Sequence, residues 1–281
     1  MKISIITATR QDVDTLPDCL ASVAGQSYPD REHIVIVGTS TDGTLAVLEA
    51  HRPQFAALVS EPDQGLYEAL NKGLARASGD VVGFLHADDL FADANVLARI
   101  AAAFATPTDQ GTVEAVYGDL VYVAKENTGR VIRYWRAGEF QPARLRWGWM
   151  PPHPTLYLRR SVFQRHGGFD PRYRIAADYD LILRMLGGGG GRPAGQVVYL
   201  PRVLVRMRVG GTSNRSLSKI LLKSREDFRT LRANRLGGIG ALAWKNLSKL
   251  PQFFHNKEKG LNKEEGVGSL FPAREGNVGD L

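Results

Sequence analysis

Two adjacent aspartates, Asp88 and Asp89, follow an apolar run that ends at Leu85. Neighbouring carboxylates repel each other unless a cation or the hydroxyls of a ligand engage them. Mg²⁺ and Mn²⁺ take oxygen ligands, commonly one or two carboxylates together with phosphate oxygens of a substrate. Asp89 also precedes a helical pattern, so a helix N-cap is an equally good explanation of it. His86 is either a third metal ligand or a loop histidine beside the ligand.

A second pair of carboxylates, Asp178 and Asp180, opens a predicted helix over 178–186. Residues two apart on a helix point in different directions. One aspartate can therefore face a cleft as a general base, while the other caps the helix or pairs with Arg184, four residues after Asp180. Without further context, capping explains both.

The elements that must position these carboxylates alternate between strand and helix. Short β-branched runs predict strands over 2–7, 33–37, 57–60 and 81–85, separated by helical patterns over 16–24, 44–51 and 65–77. This alternation predicts a parallel sheet with helices on both faces. Ligands of such sheets bind beyond the carboxyl ends of the strands. The residues that follow the four strands are therefore the first candidates: Thr7–Arg10, Gly38–Asp42, Glu61–Gln64 and His86–Asp89.

The pattern changes after residue 119. We expect a hairpin over 120–123 and 131–135, a strand over 155–158, short helices, a last strand over 196–200 and a basic helix over 216–235. The five glycines of Gly187–Gly191 mark a flexible loop. The predicted organisation is a domain over 1–215, with halves 1–119 and 120–215, a basic helical extension over 216–255, and a disordered tail over 256–281.

Four segments in this order carry a resemblance to a known family. They are TSTDGT, EPDQGLYEALNKGLARASGD, FLHADD and GGFDPRYRIAADYDLILR. The chain from about Met1 to about Asn214 resembles inverting family 2 glycosyltransferases, in particular the bacterial colanic-acid and phenolic-glycolipid type. The resemblance implies an α/β protein of the GT-A fold, with a mostly parallel twisted sheet and helices on both faces.

The resemblance also implies a nucleoside-diphosphate sugar as donor and a divalent metal, Mn²⁺ or Mg²⁺, on its diphosphate. Asp88 and Asp89 match the family's acidic DXD-type pair, which contacts ribose and metal. Asp178 matches the base that takes the proton of the acceptor hydroxyl. The candidate contacts to the nucleotide sugar are Thr7, Thr9, Arg10, Asp42, Glu61, Asp63, Lys72 and Asp88.

The sequence departs from the family pattern in two places. Gly38 and Thr39 stand where the family often has an acidic residue that reads the base. Asp42 matches a later aspartate of that loop, which is either a donor contact or a structural residue. Ala177 precedes Asp178 where the family usually has glutamate. The Gln-x-x-Arg-Trp motif of processive synthases is absent, which favours transfer of a single sugar.

On the acceptor side, we expect a saccharide or lipid-linked saccharide, with His153, Trp149 and Asp180 as candidate contacts. His153 lies among prolines and is equally well explained as structural, and Trp149 as a core aromatic. Lys72 either reaches a phosphate or is a solvated charge.

Composition and charge narrow the alternatives. The chain has 281 residues, 43% of them hydrophobic, and one cysteine, which fits a reducing cytosol. Residues 202–263 hold 15 Lys and Arg against 3 Asp and Glu. A basic, amphipathic segment of this kind can bind peripherally to the anionic inner face of the cell membrane. Alternatively, its helices pack on the protein in the ordinary way and expose their basic face to solvent.

Three other classes of function are alternatives. A nucleotide-using enzyme of another type, such as a pyrophosphorylase or dehydrogenase, lacks support because neither a G-x-G-x-x-G nor a P-loop motif is present. Nucleic-acid binding rests on the basic segment alone, without a zinc-finger or RNP signature, so we expect no nucleic-acid partner. A catalytically inactive relative that binds a nucleotide sugar stays open.

Overall fold

The computed structural model describes residues 1–107, 111–187, 195–210, 217–234 and 236. Nine strands in this part of the chain form one sheet. They are β1 (Ile3–Thr9), β2 (Arg31–Val37), β3 (Ala57–Ser60), β4 (Val81–Phe84), β5 (Asp89–Phe91), β6 (Val113–Val123), β7 (Val131–Trp135), β8 (Tyr157–Arg159) and β9 (Gln196–Arg208). Their order is β3-β2-β1-β4-β8-β6-β9-β5, and β7 pairs with β6.

The first four strands are parallel to one another, as the sequence predicts. Ile3 lies opposite Arg31 on one side and opposite Val81 on the other. Because these strands run in one direction, their carboxyl ends meet at one edge of the sheet. That edge carries the candidate donor residues.

The second half of the sheet is mixed. β8 pairs antiparallel with β4 and β6, and β9 runs parallel to β6 and antiparallel to β5. The predicted hairpin is present, with β6 beginning seven residues before the expected Leu120. Strand β5 begins at Asp89. The interpretation of Asp89 as a helix N-cap is therefore wrong, because Asp89 is the first residue of a strand. The next helix begins at Val96, and Asn95 is its N-cap.

Eight helices are described. They are α1 (Leu16–Ala24), α2 (Thr44–Ala50), α3 (Leu66–Leu74), α4 (Val96–Ala105), α5 (Pro142–Leu145), α6 (Arg160–His166), α7 (Ala177–Gly187) and α8 (Leu217–Ala233). β1 shows how they flank the sheet, since its side chains alternate between faces. Ile6 packs with α3, α6 and α7 in one buried cluster, whereas Ile5 packs with α1 and α4 in another. Helices thus cover both faces of the sheet, as predicted.

The described part of the basic extension packs on the preceding domain. Leu231 of α8 and Leu236 belong to the same buried cluster as α7, and Thr230 is buried beside them. α8 confirms the helix predicted over 216–235 within the described residues. Leu231 thus packs in a core shared with α7, while Arg225, Arg229 and Arg232 of the same helix are exposed. This arrangement agrees with the packing interpretation of the segment.

Several expectations concern residues that the structure does not describe. They include the glycine loop beyond Gly187, the basic segment beyond residue 236 and the tail over 256–281. In the described ranges, we find no helix that combines the length and hydropathy needed to cross a membrane.

Candidate active site

The loop after β1 is organised by Asp12. Its Oδ2 accepts hydrogen bonds from the Thr9 hydroxyl and from the backbone N–H of Arg10, both at 2.9 Å. Thr9 is 5% exposed, whereas Arg10 is exposed at the edge of the sheet. Of these two candidate donor contacts, Arg10 is the side chain that a ligand can reach.

Thr7 lies inside the core. It is fully buried, and its hydroxyl is 2.9 Å from Nε2 of His33 on the neighbouring strand. Because this hydroxyl already has a partner inside the sheet, unlike the oxygens of Asp89, we assign Thr7 to the packing of β1 against β2.

Asp42 shapes the loop after β2. Oδ1 accepts hydrogen bonds from the backbone N–H and the hydroxyl of Thr44, at 3.0 and 2.6 Å, and Oδ2 accepts from Val13 N–H at 3.1 Å. These bonds, above all that from the Thr44 hydroxyl, lower the pKa of Asp42. Both of its oxygens are thus used by the protein itself, which makes Asp42 a structural residue at the start of α2.

Asp63 occupies the space beside Gly38. A Cβ on Gly38 would collide with Oδ2 of Asp63, which follows the neighbouring strand β3. The other oxygen of Asp63 accepts the backbone N–H of Gly65 at 3.0 Å. An acidic group therefore lies at the end of β2 although the sequence has glycine there, because the adjacent strand supplies it.

Lys72 is engaged by neighbouring acidic groups. Its Nζ lies 3.1 Å from Glu61 and 3.2 Å from Glu68, and it donates to the carbonyl of Pro62 at 2.8 Å. The lysine thus holds the loop between β3 and α3 against the helix. Its charge is therefore paired rather than freely solvated, and the contact with a phosphate stays a prediction.

A cavity of about 190 Å³ opens at the ends of β2 and β3. Its lining residues are Val37, Gly38, Thr39, Ser40, Leu45, Ser60, Glu61 and Pro62. It lies where the parallel-sheet rule places a ligand, beyond the carboxyl ends of the strands.

Asp89 is the most unusual acidic group of this edge. It is fully buried, and neither carboxylate oxygen has a hydrogen-bond partner among the described residues. Burial, reinforced by the charge of Asp88, raises the pKa of Asp89 well above its ordinary value, although Arg208 acts in the opposite direction. A buried carboxylate without partners is costly, so it either holds a proton or awaits a cation.

Arg208 of β9 braces the turn that carries the two aspartates. Its guanidinium donates to the backbone carbonyl of Asp88 at 3.0 Å and to the carbonyl of Lys125 at 3.1 Å, and forms an ion pair with Asp18 of α1. Arg208 is 5% exposed. No local sequence pattern indicates this role, because the three partners of Arg208 are distant from it along the chain.

Asp178 and Asp180 do diverge at the start of α7. Asp180 is 4% exposed and pairs with Arg184 at 2.7 Å, the i,i+4 pair that the spacing predicts. It also accepts a hydrogen bond from Asn234 at 3.2 Å, which leaves it unable to contact an acceptor. Asp178 is only half-buried, and its Oδ1 accepts the N–H of Tyr179 at 2.7 Å. Asp178 is therefore the aspartate that a substrate can reach.

The loop that leads to Asp178 is held from two sides. Glu226 of α8 accepts the backbone N–H groups of Arg174, Ile175 and Ala176 at 3.0, 2.9 and 3.0 Å. From the other side, the Tyr67 hydroxyl of α3 donates to the carbonyl of Ile175 at 2.6 Å. Sequence reasoning missed both residues, since nothing local to either segment indicates the contact.

His153 lies in an aromatic cluster. It is 6% exposed, stacks on Phe84 at a centroid distance of 5.5 Å and contacts Phe169 at 5.6 Å. Burial, with a smaller effect of nearby His86, lowers the pKa of His153 to about 3. These surroundings fit the structural interpretation rather than contact with an acceptor.

Trp149 also belongs to the core side of the domain. Its Nε1 donates to the carbonyl of Ala137 at 3.2 Å, and Arg144 lies 5.1 Å from its ring. The neighbouring Trp147 is 57% exposed. Of the two tryptophans, Trp147 is the one whose ring is available to a ligand.

Comparison with known proteins agrees with this architecture. The family model for Glycosyl transferase family 2 matches residues 4–167. An uncharacterized glycosyltransferase of Mycobacterium tuberculosis is 35% identical over 189 residues, which cover 65% of this chain and 68% of the relative. A PGL/p-HBAD biosynthesis glycosyltransferase of the same organism is 32% identical over 224 residues, covering 78% and 82%. The chain belongs to glycosyltransferase family 2.

Solved structures show the same fold. The crystal structure of S. aureus TarS superposes with a TM-score of 0.60 at 20% identity, over 83% of this chain and 39% of that one. The mannosyltransferase PcManGT from Pyrobaculum calidifontis, in complex with GDP-Man and Mn²⁺, gives 0.59 at 19% identity, over 89% and 70%. This chain thus spans well under half of TarS. The architecture is the GT-A fold, and the fold expected from the sequence is confirmed.

Proposed function

We propose that this protein is a metal-dependent, inverting glycosyltransferase that moves one sugar from a nucleoside-diphosphate sugar to a hydroxyl of a saccharide acceptor. The observation that carries the proposal is the contrast between two aspartates. Asp89 is fully buried with both carboxylate oxygens unpartnered among the described residues, whereas Asp178 is half-buried and reachable. The first suits a cation and the second suits proton transfer.

The surroundings of Asp89 fit a divalent cation. Its orphaned oxygens and the adjacent carboxylate of Asp88 form an oxygen donor set that Mn²⁺ or Mg²⁺ accepts. No group of three or more metal-ligating side chains occurs in the described ranges, so phosphate oxygens of the donor would complete the coordination. When bound, the cation would neutralise charge on the departing nucleoside diphosphate. PcManGT, a structural neighbour with Mn²⁺, supports this choice.

The chemistry assigned to the chain itself is proton transfer by Asp178. Its Oδ1 is held by the N–H of Tyr179. Its carboxylate would accept the proton of the acceptor hydroxyl while that oxygen attacks the anomeric carbon. The bond from the anomeric carbon to the diphosphate oxygen breaks at the same time, and the nucleoside diphosphate leaves on the opposite face. A single displacement of this kind inverts the configuration.

The donor is placed over the first half of the sheet. Arg10, Glu61 and Asp63 stand at the ends of β1 and β3, and Asp88 follows β4. Asp88 is half-buried, so a ribose hydroxyl would be able to reach it. The cavity at the ends of β2 and β3 would receive the base, with the Asp63 carboxylate beside Gly38 available to an N–H donor.

The acceptor is proposed to be a saccharide linked to a lipid. The relative named for PGL/p-HBAD biosynthesis supports this class. The excess of Lys and Arg over residues 202–263 supports peripheral contact with the inner, cytoplasmic face of an anionic membrane. The alternative function, which we call the runner-up, is that the protein binds a nucleotide sugar without transferring the sugar.

The test combines ligand binding with turnover. Melting temperature is measured with UDP, GDP, dTDP and CDP, each with Mn²⁺ or with EDTA, and a ligand at a hundredfold excess over its Kd should add about 2.7 kcal/mol to the free energy of unfolding. A Mn²⁺-dependent shift with one nucleotide identifies the donor base. Transfer is then assayed with the matching nucleotide sugars in wild type and in Asp178→Asn.

Asp178→Asn should lower turnover by about 10²–10⁴-fold, because the amide cannot accept the proton. Its donor binding should stay unchanged, and the exposed Asp14→Asn serves as the matched control. A nucleotide shift without transfer in wild type would favour the runner-up. Equal turnover in wild type and Asp178→Asn would remove Asp178 as the base.

A further inference from the structure

A second cavity, of about 280 Å³, lies between α8 and the loop that enters α7. We call it the arginine pocket. Its lining residues are Arg172, Arg174, Leu222, Arg225, Glu226 and Arg229. None of these residues lies in the loops at the carboxyl ends of β1, β2, β3 or β4, so the pocket is separate from the proposed donor site.

The charges of the arginine pocket are unbalanced. Glu226 is buried, and its carboxylate already accepts three backbone N–H groups. Arg174 and Arg225 are exposed and have no carboxylate partner in the part of the chain that the structure describes. Arg229 contacts the ring of Tyr173, with 5.8 Å between guanidinium and centroid. Besides Arg172, three guanidiniums thus line the cavity next to a single carboxylate whose oxygens are occupied.

The fourth arginine is neutralised. Arg172 makes a two-pronged ion pair with Asp170, with Nε–Oδ1 at 3.0 Å and Nη2–Oδ2 at 2.7 Å. Its charge is therefore used within its own loop. The positive charge available to a ligand in the pocket is therefore that of Arg174, Arg225 and Arg229, which favours an anion.

We propose that the arginine pocket binds a phosphate or diphosphate group of the acceptor substrate. Guanidinium forks match phosphate oxygens in geometry and charge, and several of them favour a multiply charged anion. The cavity volume is below the 300–1,000 Å³ typical of sites for whole small molecules, which suits one charged group.

The position of the pocket links that group to the reacting hydroxyl. Arg174 precedes Asp178 by four residues, so their backbones are at most about 14 Å apart. Glu226 fixes the backbone of this segment from within the pocket. An acceptor whose phosphate occupies the pocket would therefore present its sugar toward the proposed base. The assignment to the acceptor rests on the proposed function, whereas anion binding by the pocket does not.

The test uses inorganic pyrophosphate and the full chain. Binding is measured by titration calorimetry in EDTA, so that a metal-bound donor site does not contribute. Wild type is compared with the double variant Arg174→Gln/Arg225→Gln and with the single variant Arg225→Gln. Arg52→Gln removes one positive charge and is the control for the charge change of the single variant. Arg52 is exposed and does not line the pocket. Circular dichroism melts establish that each variant is folded.

Pyrophosphate should bind wild type and Arg52→Gln alike, and the double variant should bind at least tenfold more weakly, with the single variant between them. The acceptor KM should rise in the double variant while nucleotide binding is unchanged. Equal pyrophosphate affinity in wild type and double variant, or none in wild type, would overturn the proposal.

A parallel arm uses phosphatidylglycerol vesicles at low salt. Loss of vesicle binding in the double variant with pyrophosphate affinity unchanged would overturn the proposal in favour of a lipid surface. Arginine-dependent pyrophosphate binding in a protein that transfers no sugar would instead refute the proposed function while the anion pocket stands.

Discussion

At the scale of single residues, aspartates that are close together in the sequence differ in their burial and in their hydrogen-bond partners. Asp178 and Asp180 are two residues apart, yet Asp180 is sequestered by Arg184 and Asn234 while Asp178 stays reachable. Asp88 and Asp89 are adjacent, yet Asp89 alone is fully buried. Such differences in burial and partners allow one residue type to perform several functions.

Asp89→Asn tests whether the buried carboxylate is kept for ligand binding. Its raised folded pKa means that, without a cation, stability is highest below the ordinary pKa and falls as the pH rises toward the folded pKa. A neutral amide of the same shape removes this cost. We expect the metal-free variant at pH 7.5 to be more stable than wild type by about 1–3 kcal/mol in urea unfolding.

The same variant should lose its response to metal. Mn²⁺ with the preferred nucleotide should raise the melting temperature of wild type and leave Asp89→Asn unchanged. Asp93→Asn, at an ion pair with Arg99 outside the site, is a control for the loss of an aspartate charge. A destabilised Asp89→Asn that still responds to Mn²⁺ would show that Asp89 is structural and that the cation binds elsewhere.

At the scale of elements, α8 connects the basic C-terminal segment to the proposed base. The segment 174–176 precedes α7, so its backbone N–H groups take no part in the hydrogen bonds of that helix. Glu226 supplies a partner for these three consecutive residues. α8 thereby acts as a brace for the loop before Asp178 as well as a wall of the arginine pocket.

Glu226→Gln measures the strength of this brace. The amide retains one acceptor oxygen and turns an N–H₂ group toward backbone donors, so we expect a loss of about 1–3 kcal/mol in the free energy of unfolding. Turnover should fall further than donor binding, since the loop before Asp178 loosens. Urea unfolding and steady-state kinetics check both effects.

Glu126→Gln is the matched control for that change, because the side chain of Glu126 is 89% exposed. It should leave stability and turnover unchanged. Wild-type stability and kinetics in Glu226→Gln would mean that the three hydrogen bonds do not hold the loop in solution.

At the scale of the whole molecule, buried histidines tie stability to pH. Burial lowers the pKa of His33 and of His153 to about 3 in each case, against 6.5 in an unfolded chain. Between these values the unfolded state binds a proton that the folded state does not. Stability contributed by each neutral histidine is therefore complete above about pH 6.5 and declines as the pH falls toward 3.

His153→Phe isolates one of these contributions. Phenylalanine preserves stacking on Phe84 and cannot be protonated. Between pH 7 and 5.5 the variant should lose about 1 kcal/mol less stability than wild type, as measured by urea unfolding at both pH values. Phe163→Leu, which alters the same aromatic cluster without removing a titratable group, should show the wild-type pH dependence. An unchanged pH dependence in His153→Phe would mean that His153 is not held neutral in the folded protein.

Local patterns predicted most of the first half of the fold. The runs around Ile3, Val35, Leu58 and Val82 are β-branched and bounded by loop residues, so each specifies a strand without reference to the others. The i,i+4 pair of Asp180 and Arg184 was likewise predictable from helical spacing. Strand β5 was not, because three residues carry too little periodicity to distinguish a strand from a helix N-terminus.

The candidate site was predicted in outline but not in its contacts. Parallel-sheet geometry indicated Asp88 and Asp89, which follow a strand, and the family resemblance indicated Asp178 at the start of α7. Thr7 and Asp42 were both expected to contact the donor, because the sequence does not show that His33 engages the buried Thr7 or that Thr44 engages the exposed Asp42. The Asp63 carboxylate beside Gly38 depends on two strands meeting, which no local pattern encodes.

The sequence by itself therefore determined the order of strands and helices, the family, and the acidic residues at the strand ends, since these depend on short-range spacing and composition. Tertiary structure decided which carboxylates are buried, paired or reachable. It also decided that Arg208 and Glu226 hold the two halves of the site. The physical reason is that solvation and hydrogen bonding of a side chain are set by groups far away in the chain, which only folding brings within contact.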